Sequence, residues 1–414
     1  MNRTLVTLSL FVNYFVFAIL LNSVGTVILQ VQNTYGVSES AAGVLEAFKD
    51  LPIAITSFLI ASFIARLGYR PAMQIALLLV AAAALAMPSL PGFWMAKVMF
   101  AATGVGFALV KISVFATIGV VTDSRKAHAG MMNFLESFFM VGVLSGYFLF
   151  SAFVDDARPE SIAWLNVYYV LAGMAGLAFI LLSVARIETP APEESGKPLR
   201  QEFVDMLRLV ALPLVMVFVV GAFLYVLIEQ SIMSWLPTFN SRILNLSPSL
   251  SIEMASILAA ATALGRFVAG FVLQRFDWSR VLLGSLVCAA LLVLVALPLA
   301  GGASAQPIAT WSAAPLAAFV FPLIGFLLAP VYPAINSVIL SSLPKRRHAA
   351  MAGLIVVFSA LGGTSGSMLT GALFEVFGGK TAFYFSLLPI ALMFVAVLAF
   401  KRLSEQTHPA ESAS

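Results

Sequence analysis

The stretch IETPAPEESGKPLRQEFVDMLR, from Ile187 to Arg208, divides a chain of 414 residues into two apolar parts. It is the one long polar stretch among the apolar runs, and its Pro, Glu, Ser and Lys content predicts a linker that is flexible at first and then helical. On each side of it, charged clusters, Pro and Gly separate six apolar segments. The linker therefore predicts a chain organised as six segments plus six.

The apolar segments are long enough to cross a membrane as helices. About 20 apolar residues span the hydrocarbon core, where only helices or closed barrels satisfy every backbone polar group. These segments are longer than barrel strands and lack their alternating pattern. We expect an all-α integral membrane protein with twelve transmembrane helices, at roughly 5–30, 41–65, 72–90, 92–122, 129–154, 162–186, 209–239, 249–275, 279–300, 311–342, 349–376 and 380–402.

Composition supports the bilayer as the solvent of this chain. Hydrophobic residues make up 61% of it and charged residues 10%, whereas a soluble chain is usually about 25% charged. The first apolar run, from Leu5 to about Gln30, is longer than a signal-peptide core, so we expect a retained helix. Cys288 is the single cysteine, which excludes an internal disulfide.

The distribution of basic residues predicts the orientation of the chain. With both termini in the cytoplasm, only Arg158, Arg242 and Lys380 lie outside, as the positive-inside rule requires. The net charge of +4 does not indicate a nucleic-acid partner, because the basic residues sit in short loops. The predicted cytoplasmic set is Arg3, Arg66, Arg70, Arg125, Lys126, Arg186, Lys197, Arg200, Arg208, Arg275, Arg280, Lys345, Arg346, Arg347, Lys401 and Arg402.

Four regions follow from this topology. We expect an N-terminal six-helix half over 1–186, a cytoplasmic linker over 187–208, a C-terminal six-helix half over 209–402 and a cytoplasmic tail over 403–414. The halves are weakly similar to each other after their second helices, where ASFIARLGYR (61–70) corresponds to GFVLQRFDWSR (270–280). Two parallel repeats of this kind place a substrate site near the middle of the membrane.

With this organisation, the sequence resembles the major facilitator superfamily over nearly its whole length. The signature loop of that family, GxLaDRxGRR, follows the second helix. Arg66, Gly68 and Arg70 match it, whereas Ala61 and Ala65 stand in place of its glycine and aspartate. The resemblance implies a cytoplasmic gate loop that contains the three matching residues.

Within the superfamily, four segments resemble the fucose:proton symporter family and its uncharacterised relatives. They are YVLIEQSIMSWLPTF (225–239), GRFVAG (265–270), NFLESFF (133–139) and PVYPAINS (330–337). Members of that family are sugar:proton symporters where their activity is known, so the resemblance implies proton-coupled uptake of a small polar solute. The sugar branch has an Asp in helix 1 and a Glu in helix 4, where this chain has Asn22 or Ser23 and Lys111. The coupling residues of the family are therefore not carried over.

Ionisable residues inside the predicted helices are candidates for function, because such groups are costly in hydrocarbon and usually face a bundle interior or a cavity. Lys111 in helix 4 and Glu136 in helix 5 lie close enough in depth for their side chains to meet. One interpretation is a structural ion pair. The other is a lysine that binds an anionic or hydroxyl-rich substrate beside a carboxylate that takes up a proton.

A second charged group lies in helix 2. Glu46 and Lys49 are three residues apart and are expected to pair, which leaves Asp50 without an obvious local partner. Pro52 follows and frees a backbone carbonyl. Asp50 is therefore a second candidate for proton coupling, beside Glu136.

The remaining candidates lie mostly in the C-terminal half. Glu229 is expected either to bind substrate or to accept a hydrogen bond from Tyr225, and Arg266 either to bind an anion or to anchor a neighbouring helix. Prolines in helix 10 predict a kinked helix. The candidate substrate-binding residues are Asn22, Lys111, Asn133, Tyr225, Glu229, Gln230, Arg266 and Asn336.

No Ser/His/Asp set, metal cluster or phosphate-binding glycine loop is visible in the sequence, so we expect neither an enzyme nor a cofactor. The leading hypothesis is a proton-coupled symporter, monomeric in a bacterial inner membrane, that imports a small polar solute by alternating access. The alternative is a permease or exporter for an anionic or amphipathic compound, such as an organic acid or a siderophore. A transporter-like receptor without flux is a third class.

Overall fold

The computed structural model describes residues 3–61, 64–122, 124–185, 187, 199–300, 306–344 and 347–407, and it is built of helices. Short 3-10 helices lie at Ile162–Asn166, Leu209–Ala211, Pro298–Ala300, Trp311–Ala313 and Phe321–Leu323. The predicted all-α class is confirmed. The α-helices are α1 (Arg3–Asn22), α2 (Val24–Tyr35), α3 (Glu39–Ala42), α4 (Leu45–Ala61), α5 (Ile64–Leu67), α6 (Tyr69–Ser89), α7 (Phe93–Val121), α8 (Arg125–Ser151), α9 (Val167–Val184), α10 (Leu199–Arg208), α11 (Pro213–Met233), α12 (Leu236–Arg242), α13 (Pro248–Val272), α14 (Trp278–Ala296), α15 (Leu316–Val320), α16 (Ile324–Leu328), α17 (Val331–Ser341), α18 (His348–Phe377), α19 (Gly379–Tyr384) and α20 (Leu387–Thr407).

Eleven helical stretches of the described residues are long and apolar enough to cross a membrane. The predicted second crossing corresponds to α4, which has 17 described residues and is not among the eleven. Large apolar side chains such as Ile55, Leu85 and Leu264 are exposed along the helices. Extensive exposed apolar surface of this kind suits contact with lipid rather than with water, so the chain is an integral membrane protein.

Several of the predicted crossings are interrupted, among them the first and the tenth. The first continues beyond Gln30 to Tyr35, with a turn at Ser23 between α1 and α2. The tenth is divided into α15, a 3-10 turn that contains Pro322, α16 and then α17 after Pro330. Proline lacks the backbone N–H that continues a helix, so the predicted disruption of helix 10 is confirmed.

Contacts within the chain divide it into two compact units. The first covers Met1–Ser38 and Leu45–Gly196, and the second covers Glu39–Val44 and Lys197–Ser414. In the first unit, α1 packs against α7, α8 and α9, and α4 packs against α7. In the second unit, α11 packs against α18 and α20, and α13 packs against α16.

The segment Glu39–Val44, which contains α3, packs on α18 in the second unit. The backbone N–H of Ser40 donates to Oε2 of Glu375 at 2.9 Å. A Cβ atom added to Gly43 would lie 2.9 Å from the carbonyl oxygen of Ser367, so the two backbones approach closely. Glu39–Val44 is therefore part of the second unit, although it lies well over a hundred residues before the linker.

The predicted linker is described in part. Residues 188–198 lie outside the described residues, and α10 confirms the helical second part of the prediction. Met206 of α10 is buried, and its sulfur is the nearest atom to a Cβ added at Gly353 of α18. The predicted tail at 403–414 overlaps the end of α20, and residues 408–414 lie outside the described part.

Helices α11 and α18 are held together by a close backbone contact and by hydrogen bonds. A Cβ atom added to Gly366 would lie 2.3 Å from the carbonyl oxygen of Leu227. The hydroxyl of Ser231 donates to the carbonyl oxygen of Gly366 at 3.1 Å, and the indole N–H of Trp235 donates to that of Ser367 at 2.9 Å. Small residues at such contacts allow helix backbones to approach within the membrane.

We therefore expect Gly366→Ala to destabilise the second unit. The added methyl group meets helix backbone rather than a flexible side chain, and overpacking of this kind costs about 1–3 kcal/mol. The measurement is the free energy of unfolding in mixed detergent micelles. Gly284→Ala in α14 is the matched control, because a Cβ atom there meets nothing within 4 Å; equal stability of the two variants would contradict the close contact.

Candidate functional site

Lys111 and Glu136 lie at similar depth in neighbouring helices of the first unit. Lys111 is ten residues before the end of α7, and Glu136 is eleven residues after the start of α8. Because only 122–124 separate the two helices, both residues lie about 15 Å from the same turn. Helix α8 begins four residues before the predicted position, so Glu136 is deeper than the sequence indicated.

Tyr14 of α1 links Glu136 to an aromatic wall. Its hydroxyl donates a hydrogen bond to Oε1 of Glu136 at 3.2 Å. The ring of Tyr14 lies 4.9 Å from that of Phe139, 6.1 Å from that of Phe107 and 6.2 Å from that of Phe115, measured between centroids. Helices α1, α7 and α8 therefore bring four rings to the neighbourhood of the lysine.

The ammonium group of Lys111 contacts rings rather than a carboxylate. Its Nζ lies 5.7 Å from the ring centroid of Phe107 and 5.9 Å from that of Phe115, within the range of cation–π attraction. Among the described residues, no ion pair within 4.0 Å joins Lys111 to Glu136. The structural ion pair that was one interpretation of the sequence is therefore not formed as a direct contact, and Glu136 instead accepts a hydrogen bond from Tyr14.

The side chains of Lys111, Asn133 and Glu136 are all exposed. Charged groups within membrane helices face a bundle interior or a water-filled space, because hydrocarbon does not solvate them. We therefore expect these three side chains to face water rather than lipid. Asn22 is eight residues beyond Tyr14 in α1, and its Nδ2 donates to the carbonyl oxygen of Ala18 at 2.9 Å.

Three charged side chains of α4 form a separate buried cluster. The ammonium group of Lys49 donates a hydrogen bond to Oε1 of Glu46 and lies 3.5 Å from Oδ1 of Asp50. All three residues are buried. Helix α7 closes over them, since a Cβ atom added to Gly104 would lie 2.3 Å from the carbonyl oxygen of Lys49.

This cluster corrects one expectation and confirms another. The predicted pairing of Glu46 with Lys49 is confirmed. The prediction that Asp50 has no local partner is wrong, because the long, flexible stem of Lys49 lets one ammonium group serve both carboxylates. With two carboxylates and one ammonium group, the cluster carries a net charge of −1 when all three groups are ionised.

A second polar group is assembled in the second unit. The hydroxyl of Tyr225 donates to Oε1 of Glu229 at 2.9 Å, one helical turn along α11, so the expected hydrogen bond is confirmed. Nη2 of Arg266, from α13, lies 3.7 Å from the same oxygen. The side chain of Arg266 is 43% exposed, so its guanidinium group is accessible while it contacts the neighbouring helix.

Tyr332 of α17 completes this group. Its ring stacks on that of Tyr225 at a centroid distance of 5.3 Å, and its hydroxyl forms a hydrogen bond with that of Ser359 at 2.9 Å. Asn336, one turn further along α17, has a buried Oδ1 without a hydrogen-bond partner among the described residues. Gln230 is half-buried beside Glu229 on α11.

The predicted gate loop is partly described. Arg66 lies in α5, and its side chain is outside the described part. Gly68 has a φ of +89°, a conformation that L side chains rarely adopt. The guanidinium group of Arg70 donates to the carbonyl oxygen of Ser183, in the last turn of α9, which is a favourable place for a cation.

Sequence reasoning missed the rings that surround Lys111. Phe107 and Phe115 lie four residues before and after it in α7, and this spacing places all three on one helix face, so the signal was present. Phe139 could not be found in this way, because it comes from another helix. Within the described residues, no group of three or more His, Cys, Asp or Glu side chains is placed to hold a metal ion.

Comparison with known proteins confirms the resemblance that the motifs indicated. A family model described as Major Facilitator Superfamily matches residues 6–367. No curated protein matches the chain in sequence.

Solved structures of transporters share the fold. A bacterial homologue of the human lysosomal transporter Spinster, inward-facing and occupied, is 17% identical, with 98% of this chain and 97% of that chain covered and a TM-score of 0.73. The D-xylose–proton symporter is 15% identical, with 99% of each chain covered and a TM-score of 0.71. The E. coli fucose:proton symporter FucP is 16% identical, with 97% of this chain and 99% of that chain covered and a TM-score of 0.61. At these identities the likeness establishes the fold alone.

Proposed function

Because the chain belongs to the Major Facilitator Superfamily, a family of membrane transporters, we propose that it is a secondary active transporter that takes up a small polar solute together with protons by alternating access. The observation that carries this proposal is the exposed group of Lys111, Glu136 and Asn133 within the membrane helices of the first unit. A water-accessible carboxylate beside a cation provides both a place for a proton and a place for a solute.

The proposed topology has twelve crossings, with α4 as the second and both termini in the cytoplasm. The concentration of Lys and Arg in alternate loops supports this orientation. We retain the division into halves over 1–186 and 209–402, joined by the linker over 187–208 and followed by the tail over 403–414. A monomer in a bacterial inner membrane completes this part of the proposal.

Glu136 is the first proposed proton-coupling residue, because its carboxylate is exposed and is held by a neutral donor, Tyr14, rather than by a fixed cation. Asp50 is the second. The cluster of Glu46, Lys49 and Asp50 has one carboxylate more than it has ammonium groups, so a single proton makes it neutral. Chains of such carboxylates act as proton relays in membrane proteins.

Each unit has its own set of proposed solute-binding residues. In the first unit these are Asn22, Lys111 and Asn133. In the second unit the open Arg266–Glu229 pair and the stacked rings of Tyr225 and Tyr332 offer charge, hydrogen bonds and flat apolar surfaces. Gln230 and Asn336 are proposed to complete the second set. Arg66, Gly68 and Arg70 are the proposed gate loop.

Two structural neighbours support proton coupling in this fold. They are described as a D-xylose–proton symporter and a fucose:proton symporter. A third, NupG, is described as a nucleoside transporter. These descriptions belong to those proteins, and they favour a small polar solute here only through the shared fold.

Uptake into proteoliposomes tests the proposal. We expect an inwardly directed proton gradient to drive accumulation of at least one solute from a panel of sugars, nucleosides and organic acids. A gradient of about 2 pH units stores about 2.7 kcal/mol and supports about 100-fold accumulation with one proton per solute. Liposomes without protein are the control. Solute flux that does not depend on the proton gradient would reject the symporter hypothesis. The absence of any flux would favour a receptor.

A second candidate is a permease or exporter for an anionic or amphipathic compound. The observation in its favour is Lys111, whose ammonium group has no ion pair among the described residues. Transport direction separates the candidates, because an exporter extrudes its substrate from loaded vesicles under the same gradient that drives a symporter to accumulate it.

A further inference from the structure

The ammonium group of Lys111 has no direct ion-pair partner among the described residues. Among the described residues, its ammonium group makes no hydrogen bond or ion pair, and its recorded contacts are with the rings of Phe107 and Phe115. Intramembrane cations are normally paired with a carboxylate or with backbone carbonyls. An exposed and unpaired ammonium group at this depth therefore has the electrostatic character of an anion-binding site.

The neighbouring carboxylate of Glu136 attracts this ammonium group but makes no direct contact with it. Oε1 of Glu136 accepts the hydrogen bond of Tyr14 at 3.2 Å, and the ring of Tyr14 lies against those of Phe115 and Phe139. Helix α1, which carries Tyr14, packs against both α7 and α8.

The rings define what kind of anion fits. Phe107 and Phe115 lie beside the ammonium group, and Phe139 and Tyr14 pack against these rings. Phe115 and Phe139 are half-buried and offer accessible apolar surface, whereas Phe107 and Tyr14 are buried behind them. A hydroxyl-rich neutral sugar would leave the cation unneutralised. A phosphate or dicarboxylate would bring a second negative charge, whereas the other basic residues of α1, α7 and α8 lie near the helix ends, at Arg3, Lys97, Arg125 and Lys126.

We propose that Lys111 and the half-buried rings of Phe115 and Phe139 form a site for an organic monoanion, a carboxylate with a flat or apolar body. This inference rests on the proposed transport function, because it names the substrate class of that site. The carboxylate of the ligand pairs with Nζ of Lys111, and its apolar body lies against Phe115 and Phe139. Binding then supplies the direct ion-pair partner that the ammonium group lacks among the described residues.

Matched pairs of small molecules test this charge preference. The probes are benzoate, phenylacetate and hexanoate, each compared with its uncharged amide. Apparent affinities come from thermal-shift titration of the purified full chain. In the unmodified protein, we expect at least one carboxylate to bind about 10- to 100-fold more tightly than its amide, the gain typical of one charged hydrogen bond. If no carboxylate is preferred over its amide, the proposal is wrong.

Variants of the lysine provide the second arm of the test. Lys111→Met should remove the preference for the carboxylate, and Lys111→Arg should retain it, because arginine keeps the positive charge. Lys97→Met is the matched control, since Lys97 is also in α7 with its Nζ 4.4 Å from the ring centroid of Phe93, but lies near the helix end. A preference that survives in Lys111→Met would overturn the assignment. If that variant does not fold, Lys111→Gln replaces it.

The experiments distinguish failure of the proposed anion site from failure of the proposed transport function. Charge-selective binding without flux of any solute would reject transport and retain the anion site. Proton-driven flux of an uncharged solute, with no carboxylate preferred in the titrations, would retain transport and reject the anion site.

Discussion

Lys49→Met should destabilise the protein by about 3–5 kcal/mol, the cost of removing one partner from a buried ion pair. The substitution keeps the length of the side chain but leaves the carboxylates of Glu46 and Asp50 in a buried position without their ammonium partner. Two like charges that share such a site also repel each other. The measurement is the free energy of unfolding in mixed detergent micelles.

Two further measurements test whether the unpaired carboxylates cause this loss of stability. They are the pH dependence of the free energy of unfolding and the stability of a triple variant. Protonation of one carboxylate relieves the repulsion in Lys49→Met, so the loss of stability should shrink as the pH is lowered. The triple variant Glu46→Gln, Lys49→Met and Asp50→Asn removes all three charges and should recover most of the loss, because neutral replacements of whole buried clusters are often tolerated. A Lys49→Met protein as stable as the unmodified chain would show that the cluster is solvated.

Glu136→Gln should abolish accumulation of the transported solute while leaving exchange of solute across the membrane. Glutamine keeps an oxygen that accepts the hydrogen bond from Tyr14, but it cannot take up a proton. Under a gradient of about 2 pH units, accumulation should fall from about 100-fold to about equal concentrations on both sides. Counterflow between solute-loaded and external pools should persist, because it requires binding but no net proton movement.

Glu160→Gln is the control for this experiment, since Glu160 is an exposed residue of the loop after α8 and should accumulate solute like the unmodified protein. Accumulation that is unchanged in Glu136→Gln would remove this residue from the coupling machinery and leave Asp50 as the remaining proposal. Loss of both accumulation and counterflow would assign Glu136 to solute binding instead.

The sequence predicts the helices well because apolar runs of this length have few alternatives in a bilayer. It predicts their ends less well. The predicted start of helix 5 was 129, whereas α8 begins at Arg125, where the hydroxyl of Ser124 accepts a hydrogen bond from the backbone N–H of Ala127 at 3.1 Å. A serine N-cap of this kind is visible in a sequence, but the adjacent Arg and Lys indicated a loop.

The site shows where sequence patterns stop being informative. Spacing along one helix correctly paired Glu46 with Lys49. It could not show that the same lysine reaches Asp50, because adjacent helix residues ordinarily point apart. Nor could it show that Glu136 is held by Tyr14, since that depends on α1 packing against both α7 and α8. Contacts within one helix can be predicted from the helical repeat of the sequence. Contacts between helices depend on how the helices pack, which the sequence pattern does not show.

The six residues Glu39–Val44 can dock on α18 only after α18 has been synthesised. The hydrogen bond between Ser40 and Glu375 joins residues 335 positions apart, so α3 leaves the ribosome long before α18 exists. At a synthesis rate of about 5–20 residues per second, its docking surface follows about 15–70 s later. Contacts of such high sequence separation form late. The loop before α4 therefore reaches its native position only when the chain is nearly complete.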